Sequence, residues 1–267
     1  MSGILISNKI IDCIDSVLNA EDEANDRDYS YFHPSEFADC LRKIAYNFYG
    51  APKKGSHSPQ LLRIFDNGSW MHLRYTSYFE RAKVLRGYWK CLNPMCGKIF
   101  GREEKLGVFA PYLDDNFSCE CGNTNRLGYE EVRVTSDPEF NFYGNVDAVI
   151  KLEDEHYVLD YKSMNSFSFK RFKEPYQKHI VQVNIYLWLL GLKKGFLLYE
   201  NKDNQEVRLA TVERNDKLIS QIQTRAKELN ALLKSKKLPQ RKYDAKSASE
   251  CKNCLYRDLC WKSRQKK

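Results

Sequence analysis

Nine cysteines constrain this 267-residue chain more than any other feature, because they fall into spaced groups and not at random. Cys251, Cys254 and Cys260 form C-x2-C-x5-C in CKNCLYRDLC. Cys91, Cys96, Cys119 and Cys121 form a second set, with Cys-Gly pairs in MCGK and ECGN. A small residue after a thiolate lets backbone amides turn toward the sulfur. Tetrahedral thiolate sites and iron–sulfur clusters both take four ligands, so the C-terminal trio needs one more. Cys13 and Cys40 are left. Cys13 sits in an amphipathic stretch and is expected to be a buried structural thiol. Cys40, beside Arg42 and Lys43, is assigned as the fourth ligand, although spacing alone does not force that choice. The insert quartet favours Zn2+. The tail set suits zinc or iron–sulfur equally, and either metal would tie distant parts of the chain together.

A reducing compartment follows from this reading, since thiols kept for metals are not disulfides. The N-terminal segment carries Lys9, Asp12 and Asp15 inside its apolar pattern and is not a signal peptide. No uncharged apolar run approaches the roughly 20 residues that span a bilayer. A cytoplasmic protein without a membrane partner is expected. The net charge of +8 is compatible with a polyanionic partner. The run Lys217–Lys246, with Arg225, Lys227, Lys234, Lys236, Lys237, Arg241 and Lys242, reads as a solvated helix face or as a surface that tracks phosphates.

Periodicity predicts helices over 4–20, over 35–49 with Ser35 as N-cap, and over 60–85. Residues 22–30 read as a flexible surface stretch and 50–59 as a loop. Strand-like runs follow at 128–136, 142–152 and 156–164, then a helix over 170–192. Two strands, 195–201 and 206–214, join through a turn around Lys202–Asn204, and a charged helix runs over 216–236. The order implies an α/β fold with a mixed central sheet flanked by helices. Four regions are expected: an N-terminal helical region (1–87), a metal-binding insert (88–127), a core (128–213), and a C-terminal helix with the cysteine tail (214–267).

The chemistry lies in three short pieces. GNVDAVI carries Asp147; VLDYKS carries Asp160 and Lys162 two apart, hence on one face of a strand. Two carboxylates and an ammonium converging from neighbouring strands suit Mg2+ or Mn2+. Such a set is what phosphodiester hydrolysis requires: an ion to neutralise phosphate and acidify a water, and a cation for the charge that develops. The following helix carries Gln182 and Tyr186 four apart on one face, either aimed at this site or serving as a strand-edge cap and a core residue. Upstream, Gly68 and His72 are four apart on a long helix, so the glycine clears space beside the imidazole.

The ordered set Cys40, G-x3-H, G-x2-D, D-x-K, Q-x3-Y and C-x2-C-x5-C resembles the RecB-like PD-(D/E)XK nucleases that carry an iron–sulfur cluster. That group includes the CRISPR-associated exonuclease of this type, the AddB nuclease domain and phage-encoded relatives. The resemblance covers residues 35–75 and 140–261. It implies a restriction-endonuclease-like core and a metal-dependent deoxyribonuclease, an exonuclease acting on DNA ends or single strands. It implies that His72, Asp147, Asp160 and the Tyr161 carbonyl bind Mg2+ or Mn2+, that Lys162 is catalytic, and that Gln182 and Tyr186 face the active site and DNA. It further implies that Cys40, Cys251, Cys254 and Cys260 hold a 4Fe–4S cluster, with zinc as the fallback. DNA is the implied partner, with helicase, recombination or CRISPR spacer-acquisition proteins as further ones. A silent DNA-binding module, or a nuclease subunit active only in a complex, are the rival readings. The insert is no common feature of that group. As a zinc ribbon it would grip or gate DNA through Lys90, Lys98, Arg102 and Lys105, staple the fold, or dock a partner. Tyr161, Phe167 and Phe169 are expected to line the path of a single strand.

Overall fold

A computed structural model describes residues 2–24, 27–100, 119–123, 127–252 and 254–262, with side chains from residue 9 onward. The chain opens with helices α1 (Ser2–Ala24), α2 (Pro34–Phe37), α3 (Leu41–Phe48) and α4 (Pro59–Arg81). Strands β1 (Leu85–Arg86), β2 (Tyr88–Cys91), β3 (Ile99–Phe100), β4 (Leu127–Glu130), β5 (Val132–Thr135), β6 (Tyr143–Val146), β7 (Ala148–Leu152) and β8 (Glu155–Met164) follow. Then come α5 (Ser166–Arg171), α6 (Gln177–Leu190), β9 (Lys194–Asn201), β10 (Val207–Glu213), α7 (Asp216–Lys234), α8 (Ser249–Lys252) and α9 (Arg257–Lys262).

The expected mixed sheet is present, in the order β1-β7-β8-β9-β10. Only β8 and β9 run parallel; the other pairs are antiparallel. The parallel pair requires a crossover, and α5 and α6 supply it. One face of the sheet packs Leu85, Ala148, Ile150, Leu159, Tyr161 and Leu198 against Met71, Tyr75 and Phe79 of α4. The other face packs Val149, Val158, Leu197 and Tyr199 against α6, with α7 behind it. Being buried on both sides, α6 is apolar nearly all round (QKHIVQVNIYLWLL) and not amphipathic. No helix among the described residues is long and apolar enough to cross a membrane.

Several expected elements are broken, each for a local reason. The helix predicted over 35–49 is two helices. Ser35 is not its cap: Pro34 takes the first helical position after His33, where its fixed φ fits. The chain then turns extended at Cys40 (φ −91°, ψ 109°), which caps α3. The helix predicted over 170–192 is interrupted between α5 and α6, where Pro175 lacks an amide and biases the residue before it away from helix. The long helix ends at Arg81, short of Leu85, because Lys83 adopts φ 59° and Leu85 pairs with Ile150. Cys13, expected to be buried, is exposed. Helix α1 meets α4 through Arg63–Asp15 and meets the segment before it through His57–Asp22, so Ile10, Ile11, Ile14 and Val17 face outward.

Two breaks matter for function. The strand predicted over 128–136 splits at Glu131, and the one over 142–152 splits at Asp147. β5 and β6 leave the main sheet as a separate antiparallel pair, with Val132 opposite Val146 and Arg133 opposite Asn145. The same register carried one step further sets Glu131 across from Asp147.

Candidate active site

β7 pairs with β8 up to Ala148 opposite Leu159, and there the chain departs into β6. An antiparallel partner normally satisfies both the N–H and the C=O of a strand residue. Tyr161 has lost that partner. Its amide donates instead to the Asp147 carboxylate (Oδ2, 2.7 Å), and its carbonyl lies on the His72 side of the fork. The fork between the diverging strands therefore gathers a carboxylate, a carbonyl and an imidazole. His72 Nδ1 lies 3.6 Å from Asp147 Oδ1, and its ring stands edge-on to Tyr161 at 5.3 Å. One donor atom each from His72, Glu131 and Asp147 all lie within 4.8 Å of one another. Glu131 is a member the sequence reading missed.

Asp160 and Lys162 project from the face of β8 opposite the Tyr161 ring. Asp160 is fully buried, and its Oδ2 stands 2.6 Å from Lys162 Nζ, a close ion pair whose angles do not make it a directed hydrogen bond. Its Oδ1 has no hydrogen-bond partner among the described residues. Burial, opposed by Lys162 and reinforced by Asp147, pushes the Asp160 carboxyl up to about 7. Burial and the Asp147 charge likewise push Glu131 up to about 7, and burial raises Asp147. Burial also works against the Lys162 ammonium, but Asp160 and Asp147 outweigh it and hold the amine protonated to higher pH. Burial, then the Lys162 charge, keeps His72 below its ordinary value. Asp160 lies outside the 4.8 Å group of His72, Glu131 and Asp147 but is coupled to it by charge, so three acids face one ammonium. A hard divalent cation fits that deficit, and the orphaned oxygen of Asp160 is the kind of buried atom such an ion satisfies.

Gln182 and Tyr186 are both buried. Gln182 Nε2 donates to Tyr186 Oη (3.2 Å), which donates to the Asn145 carbonyl (2.8 Å). Asn145 is two residues before Asp147, so this relay holds β6 at the fork. Burial, then the charges of Asp160 and Asp147, raise the Tyr186 phenol well above its usual range. Tyr186→Phe should therefore leave the Asn145 carbonyl and the Gln182 amide short of a partner. We expect it to cost about 1–3 kcal/mol of stability in a thermal or urea melt. His179, three residues before Gln182 on the same helix face, also went unread. It contacts Tyr199 Oη (2.8 Å) and is lowered to about 3 by burial and by Lys162.

Other expected residues divide. Tyr161 and Phe169 are core side chains, 1% exposed, and cannot line a DNA path; Phe167 is 65% exposed under Arg171. Tyr161 fills the α4 side of the core near Tyr75 and Phe79 because the period of two that aims Asp160 and Lys162 one way aims it the other. Much of the basic C-terminal run is spent on structure. Lys227 pairs with Glu139 (3.0 Å), Arg225 lies over Phe37, Lys242 donates to the Ala38 carbonyl (3.0 Å), and Arg241 donates to that of Cys260 (2.7 Å). In the insert, Lys98 pairs with Glu120; Arg102 and Lys105 lie outside the described residues. The insert cysteines Cys91, Cys96, Cys119 and Cys121 converge, with one sulfur each within 4.8 Å of the others. Cys251 is raised by burial and by the charges of Cys254, Cys40 and Cys260. These four thiols are not a third group drawn within 4.8 Å among the described residues.

Residues 35–261 match the family model described as the PD-(D/E)XK nuclease superfamily. No curated protein matches the sequence. Among solved structures, SSO0001 is similar at 15% identity over 94% of this chain and 96% of its own, with a TM-score of 0.49. An alkaline exonuclease (LHK-Exo) from Laribacter hongkongensis is similar at 17% identity over 40% of this chain and 57% of its own, with a TM-score of 0.35. The same enzyme in complex with dAMP gives 17% identity, 39% and 55%, and a TM-score of 0.35.

Proposed function

We propose, from the premise that the chain belongs to the PD-(D/E)XK nuclease superfamily, that it is a metal-dependent deoxyribonuclease working as an exonuclease on single-stranded DNA or DNA ends. The observation that carries this reading is the buried Asp160, paired with Lys162 and left with an unmet oxygen, beside the converging His72, Glu131 and Asp147.

His72, Glu131, Asp147 and Asp160, with the Tyr161 carbonyl, would hold a divalent ion, which would supply charge neutralisation and a water of lowered pKa. The chain's own residues do the rest. His72 stays neutral, the form in which imidazole ligates. Lys162 presents a fixed ammonium to the charge that develops on the phosphate. Asp160 holds that ammonium in place and keeps it ionised. Phe167, exposed on α5 just beyond the end of β8, offers a ring on which an unpaired base can stack. Cys40, Cys251, Cys254 and Cys260 would hold a 4Fe–4S cluster that pins the tail to α3.

The test is a nuclease assay on labelled single- and double-stranded DNA with Mn2+ or Mg2+. Cleavage that requires the ion, proceeds from ends and is faster on single strands is expected. Binding without cutting, unchanged by Lys162→Ala, would make the chain a DNA-binding module. Cutting only with added helicase or recombination proteins would make it a subunit of their complex.

A further inference from the structure

The insert holds a second and chemically different ligand set. Cys91 and Cys121 sulfurs are 3.7 Å apart, and so are those of Cys96 and Cys119. Metal–sulfur bonds of about 2.3 Å in a tetrahedron put sulfurs about 3.8 Å apart, so two opposite edges already have the length of a zinc site and all four sulfurs lie within 4.8 Å of one another. The backbone around them is shaped for it. Gly97 (φ 57°) and Gly122 (φ 78°) each follow a cysteine in the left-handed conformation. The chain folds back through Cys96 N to Asn93 O (2.9 Å) and Gly122 N to Cys119 O (2.8 Å). Asn123 Nδ2 donates to Cys91 Sγ (3.3 Å) and Asn93 Nδ2 to Cys121 Sγ (3.6 Å), an outer shell suited to thiolates.

The quartet is also joined to the fork. Cys91 ends β2 and pairs with Leu127 of β4; the ladder continues through Lys90–Gly128 and Trp89–Tyr129 to Tyr88–Glu130. Glu131 is the next residue, roughly 13 Å along the strand from the register of Cys91. The ladder is stiffened by Trp89, 1% exposed and edge-on to the Tyr129 ring at 5.6 Å. At its far end a Cβ on Gly87 would come within 2.7 Å of that ring, so the tyrosine closes directly onto backbone.

We propose that the insert quartet binds one Zn2+ and that this ion, acting along the β2–β4 ladder, positions Glu131 in the divalent site. The second half rests on reading His72, Glu131 and Asp147 as that site. Two measurements on the full chain, both without DNA, test it. Metal analysis after purification with zinc should give one zinc per chain, lost in Cys96→Ser and kept in Cys254→Ala. Mn2+ binding followed by electron paramagnetic resonance should weaken roughly tenfold when wild-type protein is stripped of zinc by a chelator. It should recover when one equivalent of zinc is returned. In Glu131→Gln, which starts with weaker Mn2+ binding, stripping zinc should change nothing further. Using stripped wild-type protein keeps the test open should Cys96→Ser fail to fold. Absence of zinc from the purified chain would overturn the site. Unchanged Mn2+ affinity on stripping, or an equal loss in Glu131→Gln, would overturn the coupling. A chain that bound both ions as described yet cut no DNA would count against the nuclease reading alone.

Discussion

Asp160→Asn and Lys162→Ala should each slow metal-dependent DNA cleavage by about 10²–10³-fold or more, yet move the stability of the metal-free protein in opposite directions. Asparagine has the shape of aspartate and no charge to bury. The wild-type carboxyl is pushed up to about 7, chiefly by burial, so the folded chain holds that proton more tightly than the unfolded chain does. The sign of the linkage follows. The folded-state penalty is absent below the ordinary carboxylate range near 4, grows as pH rises toward 7, and is constant above it. Asp160→Asn removes it, so the variant should melt at or above the wild-type temperature at pH 8 and alongside it at pH 4. Lys162→Ala instead strips Asp160 and Asp147 of their shared ammonium. Removing one member of a buried pair costs about 3–5 kcal/mol when nothing compensates; Lys162, with a 20% exposed side chain, marks the lower end. That deficit should shrink as acid protonates Asp160. Melts in metal-free buffer at pH 4 and pH 8, beside the cleavage assay, decide the matter. Wild-type cleavage by either variant would remove that residue from the mechanism, and a larger stability loss in Asp160→Asn than in Lys162→Ala would make the carboxylate a structural partner.

How much of this was legible beforehand depended on whether a residue's role is fixed by its own strand or by a neighbour's register. Asp160 and Lys162 follow from a period of two and needed no tertiary information. The mixed sheet follows from the order of helical and strand-like runs. Glu131 did not follow, because GYEEVRVTS reads as one alternating strand. Only the pairing of Val132 with Val146 reveals that the chain changes sheet at Glu131 and again at Asp147. A hairpin over 132–146, turning through Asp137 and Pro138, was the available signal. Gln182 and Tyr186 were found as a pair on one face, but the acceptor of the relay is a backbone carbonyl, which no side-chain pattern announces. Cys13 misled for a different reason. An amphipathic pattern tells which face is apolar, and not whether anything within the chain covers it.

Cys254→Ala should abolish the broad visible absorbance expected of anaerobically purified protein and lower its melting temperature by roughly 10 °C. Helices α8 and α9 have four and six residues and no buried side chain, too short to persist alone. Tyr256, between them, is the apolar anchor: its hydroxyl bonds to Asn47 (2.6 Å) and its ring meets Tyr46 at 5.2 Å. Polar contacts add to it, Lys54 N to the Leu255 carbonyl (3.0 Å) and Asp258 with Lys54 and Lys246, but ion pairs this open to solvent are weak. A centre shared by Cys40, Cys251, Cys254 and Cys260 would join the start of α3 to this tail and lend metal-binding free energy to folding. Losing several kcal/mol in a chain of this size corresponds to a shift of about 10 °C, at 2–4 °C per kcal/mol. Cys13→Ala, on the exposed face of α1, should leave colour and melting unchanged. Iron-free, colourless wild-type protein that loses one zinc in Cys254→Ala would make the tail a zinc site. A Cys254→Ala protein that melts with the wild type would mean that these four thiols hold no metal at all.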